Sequence, residues 1–540
     1  MNVKKFVEKI NVKQILEIGV YLLLFLLLIG EFIPISYGIE NVRLMQIFST
    51  DEASAVRRVL VNLEYDDLDP RGFYHYGYFY HTVCFYMIKL LESFGFKADA
   101  MLVAIVFRLI SWFSYILVGI VIYKTFTLHF KGRKEFGLIL VLLLLSLPGF
   151  AFWSRFVHPD MLQVLLILLA VLVAFSAHEA MYIIMASAIA GIAFGTKYSG
   201  IFVLPFLFLP YILHAFITSP KTLKFWFKVI SVCILAVLIF LTLWVVTNPY
   251  VLKNYNQFQA DFLFEKKHVS TGHGKVEPQN PLLWFPVLWN LFGPVNSIVV
   301  GVGVLTLLVT LIITIKRDKI KKFLSDPGNR NLLTIILYII TSFVYLMLEV
   351  RMREPRYLFH ILPFILLIAI YSFQKISTLF KSSLIKHIII IGLFVSALIP
   401  SLQSISKASI STWKYKDKYI KAGNFLAENE PGELRILAAS YSYVPPKFKH
   451  VIFRFWIDEE KIKKYSPDIV ILNAKASRRW SWKRKGTSFR DLDLIKGKFA
   501  NAGHFYRFHK KIFSPGSPWE IIYETNNIVI LKKKRSGDLP

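Results

Sequence analysis

The stretch "YFYHTVCFYMIKLLESFGF" (78–96) decides how this chain is threaded. It is apolar enough to be weighed as a membrane span, yet it carries His81, Lys89 and Glu92. If it crosses, every later loop changes side. The need for a membrane is plain from composition: of 540 residues 55% are hydrophobic and 16% aromatic, with a mean hydropathy of +0.51. Soluble domains rarely reach such values. Apolar runs recur through to about residue 400, each long enough to cross a hydrocarbon core of ~30 Å. The chain is read as a multi-span membrane protein.

Charge orders the spans. The net charge of +29, from 64 Lys+Arg against 35 Asp+Glu, lies largely in short loops between apolar runs. Topology and anionic lipid explain that placement, and no nucleic-acid partner is expected. The loops "KGRK" (131–134), "SPKTLKFWFK" (219–228), "KRDKIKK" (316–322) and "QKISTLFKSSLIK" (374–386) should be cytoplasmic. They fit spans near 15–36, 101–124, 136–153, 161–178, 181–197, 200–218, 229–247, 293–315, 331–350, 357–373 and 387–402. A crossing by 78–96 would throw "KGRK" to the other side, so this segment is read as an interfacial helix on the outer face. The first span is read as uncleaved, with a cytoplasmic N-terminus.

The expected fold is therefore an all-α polytopic domain over 1–403, with about eleven transmembrane helices plus outer interfacial helices. A small α/β extracytoplasmic domain of unassigned role follows over 404–540. Its strands are read from "LRILAAS", "DIVILN" and the hairpin "WEIIYETNNIVILKK". The membrane is expected to be the plasma membrane. Cys84 and Cys233, both in apolar surroundings, form no disulfide framework and no metal-thiolate site.

Four polar stretches then face outwards: 37–78, "SRFVHPD" (154–160), 248–292 and "RMREPRY" (351–357). In "STDE" (49–52), Ser49 and Glu52 fit a capping box, and Asp51 and Glu52 suit the positive end of a helix. The same two acids could equally deprotonate a hydroxyl or, with Asp160 of "HPD", hold a divalent cation. Arg351, Arg353 and Arg356 lie on the outer side against the positive-inside bias, and a cationic cluster there suits a lipid phosphate. Glu354 offers the competing reading of a salt-bridge network. Lys197 of "GTKYSG" either joins that anion site or snorkels to the interface. His268 and His273, with Glu265, mark a substrate-binding loop more than a closed metal site, and His75 and His81 sit in an aromatic belt.

In this order the motifs resemble the GT-C superfamily of membrane glycosyltransferases, in the branch of the protein O-mannosyltransferases and the lipid A aminoarabinose transferases. The residues carrying the likeness are the "DE" after the first span, "HYGYFYH", "SRFVHPD", "GTKYSGIFVLPF", "NPY" (248–250), "STGHG" and "REPRYLFHILPF", over roughly residues 10–400. The resemblance implies a polyprenyl-phosphate sugar as donor, a hydroxyl of a lipid, glycan or protein as acceptor, and transfer on the outer face, with inversion. It implies Asp51 as general base with Glu52 beside it, Asp160 as the second-loop acid, His273 as the loop histidine, and Arg356 and Tyr357 as the pair before a late span. A divalent metal on Asp51, Asp160 and His273 stays open. Relatives often carry a Pro-Pro-Leu run where this chain has "YHYGYFYH", which leaves the roles of His75 and Tyr76 open too. The rival readings are a transporter or flippase of a lipid-linked sugar, and a ligase using a diphosphate-linked donor. A transporter should place ionisable groups near mid-membrane and show duplicated halves.

Overall fold

Helices form wherever the apolar runs predict them. The computed structural model describes residues 12–48, 50–176, 179–218, 222–272, 280–454, 457–473, 508, 511–514, 516–525 and 527–534. Helix α1 (Val12–Phe32) is followed by two short helices at its far end, α2 (Val42–Phe48) and α3 (Thr50–Tyr65). Next come α4 (Phe79–Ser93), the long α5 (Ala100–His129), and the pair α6 (Lys134–Ser146) and α7 (Pro148–Ser154). Helices α8 (Asp160–Phe175), α9 (Ala180–Thr196), α10 (Leu204–Thr218) and α11 (Leu223–Thr247) follow. The one-turn α12 (Tyr250–Lys253) and the polar α13 (Tyr255–Thr271) lead into α14 (Trp284–Ser325), α15 (Pro327–Glu349), α16 (Leu362–Leu379) and α17 (Ser383–Asn429).

Among the described residues eight helices are long and apolar enough to cross a membrane. A ninth crossing results if α6 and α7, bent by 70° against each other at Leu147, count as one. The bend has a cause: Pro148 opens α7 and cannot donate the backbone hydrogen bond that would continue α6. Helices α8 and α9, with 16 and 17 residues, are apolar but shorter. The expected eleven segments thus all fall on helices, while length and composition support eight or nine crossings.

The deciding stretch forms α4, whose 15 residues span only about 22 Å at 1.5 Å per residue, short of a hydrocarbon core. Tyr80, His81, Cys84 and Ile88 are buried against α3 and α5, whereas Tyr86, Leu90 and Phe94 are exposed. Such a helix shows protein on one side and an apolar face on the other, the pattern of a segment lying at an interface.

The two ends of the bundle differ. At one end Gln374 accepts from the Arg133 backbone N–H and donates to the Lys131 carbonyl, and Lys134 pairs with Glu17 at 2.7 Å. The basic loops 131–134 and 374–386 therefore meet there. The four polar stretches meet at the opposite end.

On that second end sits a small sheet, in the order β2-β1-β3-β5-β4. Strands β1 (Ile436–Ala439), β2 (Val451–Arg454) and β3 (Ile469–Asn473) are parallel, and β4 (Trp519–Glu524) and β5 (Ile528–Lys533) form the expected hairpin. The short α18 (Glu459–Tyr465) lies between β2 and β3. Helix α17 carries 47 residues without interruption, so position 404 falls inside it. Its last turns pack Tyr419, Ala422 and Leu426 against Ile436, Ile469 and Ile530, and the same cluster takes in Leu44 and Ile47 of α2. Arg43 donates to the carbonyls of Pro445 and Phe448 at 2.8 and 2.7 Å. The sheet is thereby seated on the element that leads into Asp51.

Candidate active site

Asp51 and Glu52 occupy the first turn of α3, where acids favour the helix dipole. Ser49, the expected cap, lies outside the described residues. Adjacent positions on a helix point about 100° apart, and here that angle separates two environments. Glu52 is fully buried and pairs with Arg108 of α5 at 2.5 Å. Arg108 also donates to the carbonyls of Ile35 and Tyr37, both at 2.7 Å. The expected helper acid is turned inward, where it fastens α3 to α5. Asp51 turns outward: its side chain is 52% exposed and one oxygen lies 3.9 Å from an Arg356 nitrogen.

Arg356 anchors a chain of charged groups. Its NH1 nitrogen is 2.7 Å from Nε2 of His158, and Nδ1 of His158 is 2.8 Å from Oδ2 of Asp160. The other oxygen of Asp160 takes Lys197 at 2.6 Å. Asp160 opens α8 and Lys197 closes α9, so antiparallel neighbours bring the two together. The Arg356 guanidinium lies 5.3 Å from the Trp153 ring centre and 5.8 Å from that of Tyr357, and Lys197 stands 5.3 Å from the Tyr357 ring. Buried cations are held by π faces as well as by acids. The Nε–H of Arg356 is buried with no partner among the described residues, leaving a donor available to an anion.

The aromatic turn at 73–78 closes one side. Its close fit depends on Gly77, because a Cβ there would lie 1.9 Å from the Gly195 carbonyl oxygen. Tyr198 donates to the carbonyls of Tyr74 and Tyr76 at 2.8 and 3.0 Å, and Asn248 accepts from the Tyr78 backbone N–H. The stretches "HYGYFYH", "GTKYSG" and "NPY" are therefore packed on one another. Helix α13 closes the other side: Asp261 accepts from the Tyr74 backbone N–H at 2.9 Å. One turn further on, Glu265 feels Lys197, Arg356 and Asp51, and burial raises its carboxyl above the usual range against the pull of the two cations.

The remaining expected residues are spread more widely. The Arg351 backbone N–H bonds to the Val269 carbonyl, and Arg353 donates to the Asn280 carbonyl at 3.1 Å. His75 packs on Phe73 and Phe264, and burial lowers its pKa. His81 is buried and stacked 4.6 Å from Tyr78, its pKa lowered to about 3 by burial, with Arg58 adding to the shift. His268 stacks on Phe264 at 5.9 Å. His273 lies outside the described residues.

Three residues escaped the sequence reading. His158 stands in "HPD", where the acid two positions on carries the stronger signal. Trp153 offered no signal in an apolar run. Arg58 stands seven positions after Asp51, on the same face of α3, and its guanidinium covers the Phe73 ring at 3.2 Å. Counting two helical turns on from Asp51 would have found it.

Of the three residues of the open metal reading, only Asp51 and Asp160 are described, and both stand beside cations. Lys197 takes one oxygen of Asp160, His158 Nδ1 lies 2.8 Å from the other, and Arg356 stands 3.9 Å from Asp51. Among the described residues no group of three His, Cys, Asp or Glu side chains could hold a metal ion.

Comparison with known proteins agrees with this architecture. Residues 83–245 match the family model described as dolichyl-phosphate-mannose-protein mannosyltransferase, which is less than half the chain. A search of the curated proteins finds no match. The crystal structure of ArnT from Cupriavidus metallidurans bound to undecaprenyl phosphate superposes with a TM-score of 0.57 at 12% identity, covering 97% of this chain and 99% of that one. Its apo state gives 0.55 at 12% identity, over 95% and 97%. The archaeal oligosaccharyltransferase AglB from Archaeoglobus fulgidus, in complex with an inhibitory peptide and a dolichol-phosphate, gives 0.51 at 11%, over 84% and 70%. At such identities the likeness is one of fold: this chain has the fold of ArnT, in line with the resemblance carried by its motifs.

Proposed function

We propose that this protein is a membrane glycosyltransferase that moves a sugar from a polyprenyl-phosphate donor to a hydroxyl acceptor. The observation that carries the reading is the pair of Asp51 and Arg356. An exposed carboxylate and a partly buried guanidinium, whose Nε–H has no partner among the described residues, face each other at 3.9 Å. That spacing exceeds a hydrogen bond and leaves both groups available. The fold supports the reading, since the ArnT structure is bound to undecaprenyl phosphate and the AglB structure is a complex with dolichol-phosphate.

The chemistry follows from those two groups. A hydroxyl is a weak nucleophile near neutral pH. Asp51 takes its proton as the oxygen attacks the anomeric carbon. The bond from that carbon to the phosphate oxygen breaks, and its electron pair leaves with the polyprenyl phosphate. General-base help of this kind contributes about 10²–10⁴-fold. Negative charge grows on the phosphate as the bond breaks, and Arg356 meets it from a site sheltered by Trp153 and Tyr357. Lys197 acts on the same charge across Asp160. Direct displacement inverts the anomeric centre. No step is routed through a metal.

The lipid side of the donor requires the site to lie at a membrane face. The basic loops at the opposite end support an extracytoplasmic site, with residues 404–540 on that same side. The transporter reading gains no support from a site built of exposed base and phosphate-binding cation at one end of the bundle.

The test is turnover of a panel of labelled polyprenyl-phosphate sugars by the purified protein and by Asp51→Asn. Transfer by the wild type and its loss in the variant are expected. A variant as active as the wild type would remove Asp51 as the base, and a wild type inert towards every donor would overturn the reading.

A further inference from the structure

We infer that His158 is a positioning residue for this transfer, and that it acts by aiming Arg356. The inference rests on the proposed function for its turnover readout, and on geometry alone for its structural content.

The tautomer is fixed by its neighbours. Every polar hydrogen of arginine is a donor and a guanidinium accepts nothing. The 2.7 Å contact between Arg356 NH1 and His158 Nε2 therefore requires a lone pair on Nε2. The ring proton must then sit on Nδ1, which lies 2.8 Å from the Asp160 oxygen that Lys197 does not take. The same logic, with a carboxylate on one ring nitrogen setting what the other can do, governs histidines that act by orientation.

The ring has little freedom. Its side chain is 2% exposed, and it stands edge-on between Tyr76 and Trp153, with centroids 5.8 and 4.9 Å away. Its backbone is held as well: Ser111 donates to the His158 carbonyl at 3.3 Å. Arg356, by contrast, has no short contact on its substrate side among the described residues, since Asp51 stands off at 3.9 Å. A long, flexible arginine is thus directed from behind, by one acceptor on a clamped ring. Its Nε–H and second terminal nitrogen are left for an anion.

Amide substitutions separate this role from packing. His158→Gln can keep an acceptor near the Nε2 position and so keep Arg356 in place. His158→Asn can keep a donor to Asp160 and gives up the acceptor towards Arg356. With donor and acceptor kinetics measured in detergent, His158→Asn is expected to lower kcat about 10²-fold, the effect of a roughly 1 Å misplacement, with a smaller change in donor KM. His158→Gln should recover most of that loss. In an Arg356→Ala background His158→Asn should cost almost nothing more, because the group it aims is gone.

Equal losses in the two amide variants, or losses that multiply with Arg356→Ala, would overturn the inference. So would failure of both variants to melt cooperatively, which would assign the ring to packing. Should the wild type turn over no donor, the proposed function fails on its own. The same cycle read as binding of decaprenyl phosphate then decides His158. Coupling to Arg356 upholds the inference, and a wild type that binds no lipid phosphate overturns it.

Discussion

Two faces of one helix carry two acid–arginine pairs with opposite properties. Glu52 and Arg108 touch at 2.5 Å with side chains 0% and 2% exposed, and Arg108 spends further donors on the carbonyls of Ile35 and Tyr37. Asp51 and Arg356 stand 3.9 Å apart, one 52% exposed and the other 12%. In the first pair the contact is short and shut away from solvent, so it serves to hold the two helices. In the second the partners are close enough to interact and too far apart to be satisfied, so both can meet a substrate. Exposure and separation, more than charge, distinguish a site from a fastening.

The comparison breaks most easily at Asp51. Asp51→Asn should lower transfer by about 10²–10⁴-fold, the worth of a general base, while melting in detergent stays unchanged because an exposed, long contact contributes little. A fall in melting temperature matching that of a Glu52 variant would erase the distinction.

Next in size is Glu52→Gln. It leaves the Arg108 charge buried without its carboxylate, at a cost of about 3–5 kcal/mol in stability. Reduced yield and earlier thermal aggregation would register it, and any activity lost should track the fraction folded. A well-folded Glu52→Gln protein with no turnover would instead make Glu52 part of the chemistry.

The double replacement Glu52→Leu with Arg108→Met sharpens the point. Removing both charges costs less than removing one, about 1–2 kcal/mol, chiefly because the Ile35 and Tyr37 carbonyls lose their donor. Turnover per folded molecule should be retained.

The smallest effect is expected from metal removal. Asp160 is engaged by Lys197 and His158, so dialysis against a chelator should leave kcat within about twofold, a change worth less than 0.5 kcal/mol of barrier. Loss of activity restored by one divalent cation would place a metal in the site.

The sequence by itself determined the membrane class, the helices and the ends at which polar groups collect. These follow from local quantities: run length against bilayer thickness, and loop charge against topology. It also placed Asp51, Asp160, Lys197 and Arg356 in outer stretches, because ionisable groups beside apolar runs are conspicuous. Tertiary structure alone decided which of them share a site. Asp51 and Arg356 are 305 positions apart, and only the packing of α3 against the loop before α16 makes them a pair. The direction of Glu52 was equally out of reach, since neighbouring acids look alike in a sequence and differ only once a helix is rotated against its partners. His158 shows the limit most clearly. Its carboxylate partner Asp160 stands two positions on in the same motif, but the arginine on its other ring nitrogen is 198 positions away, and only the folded chain brings it there.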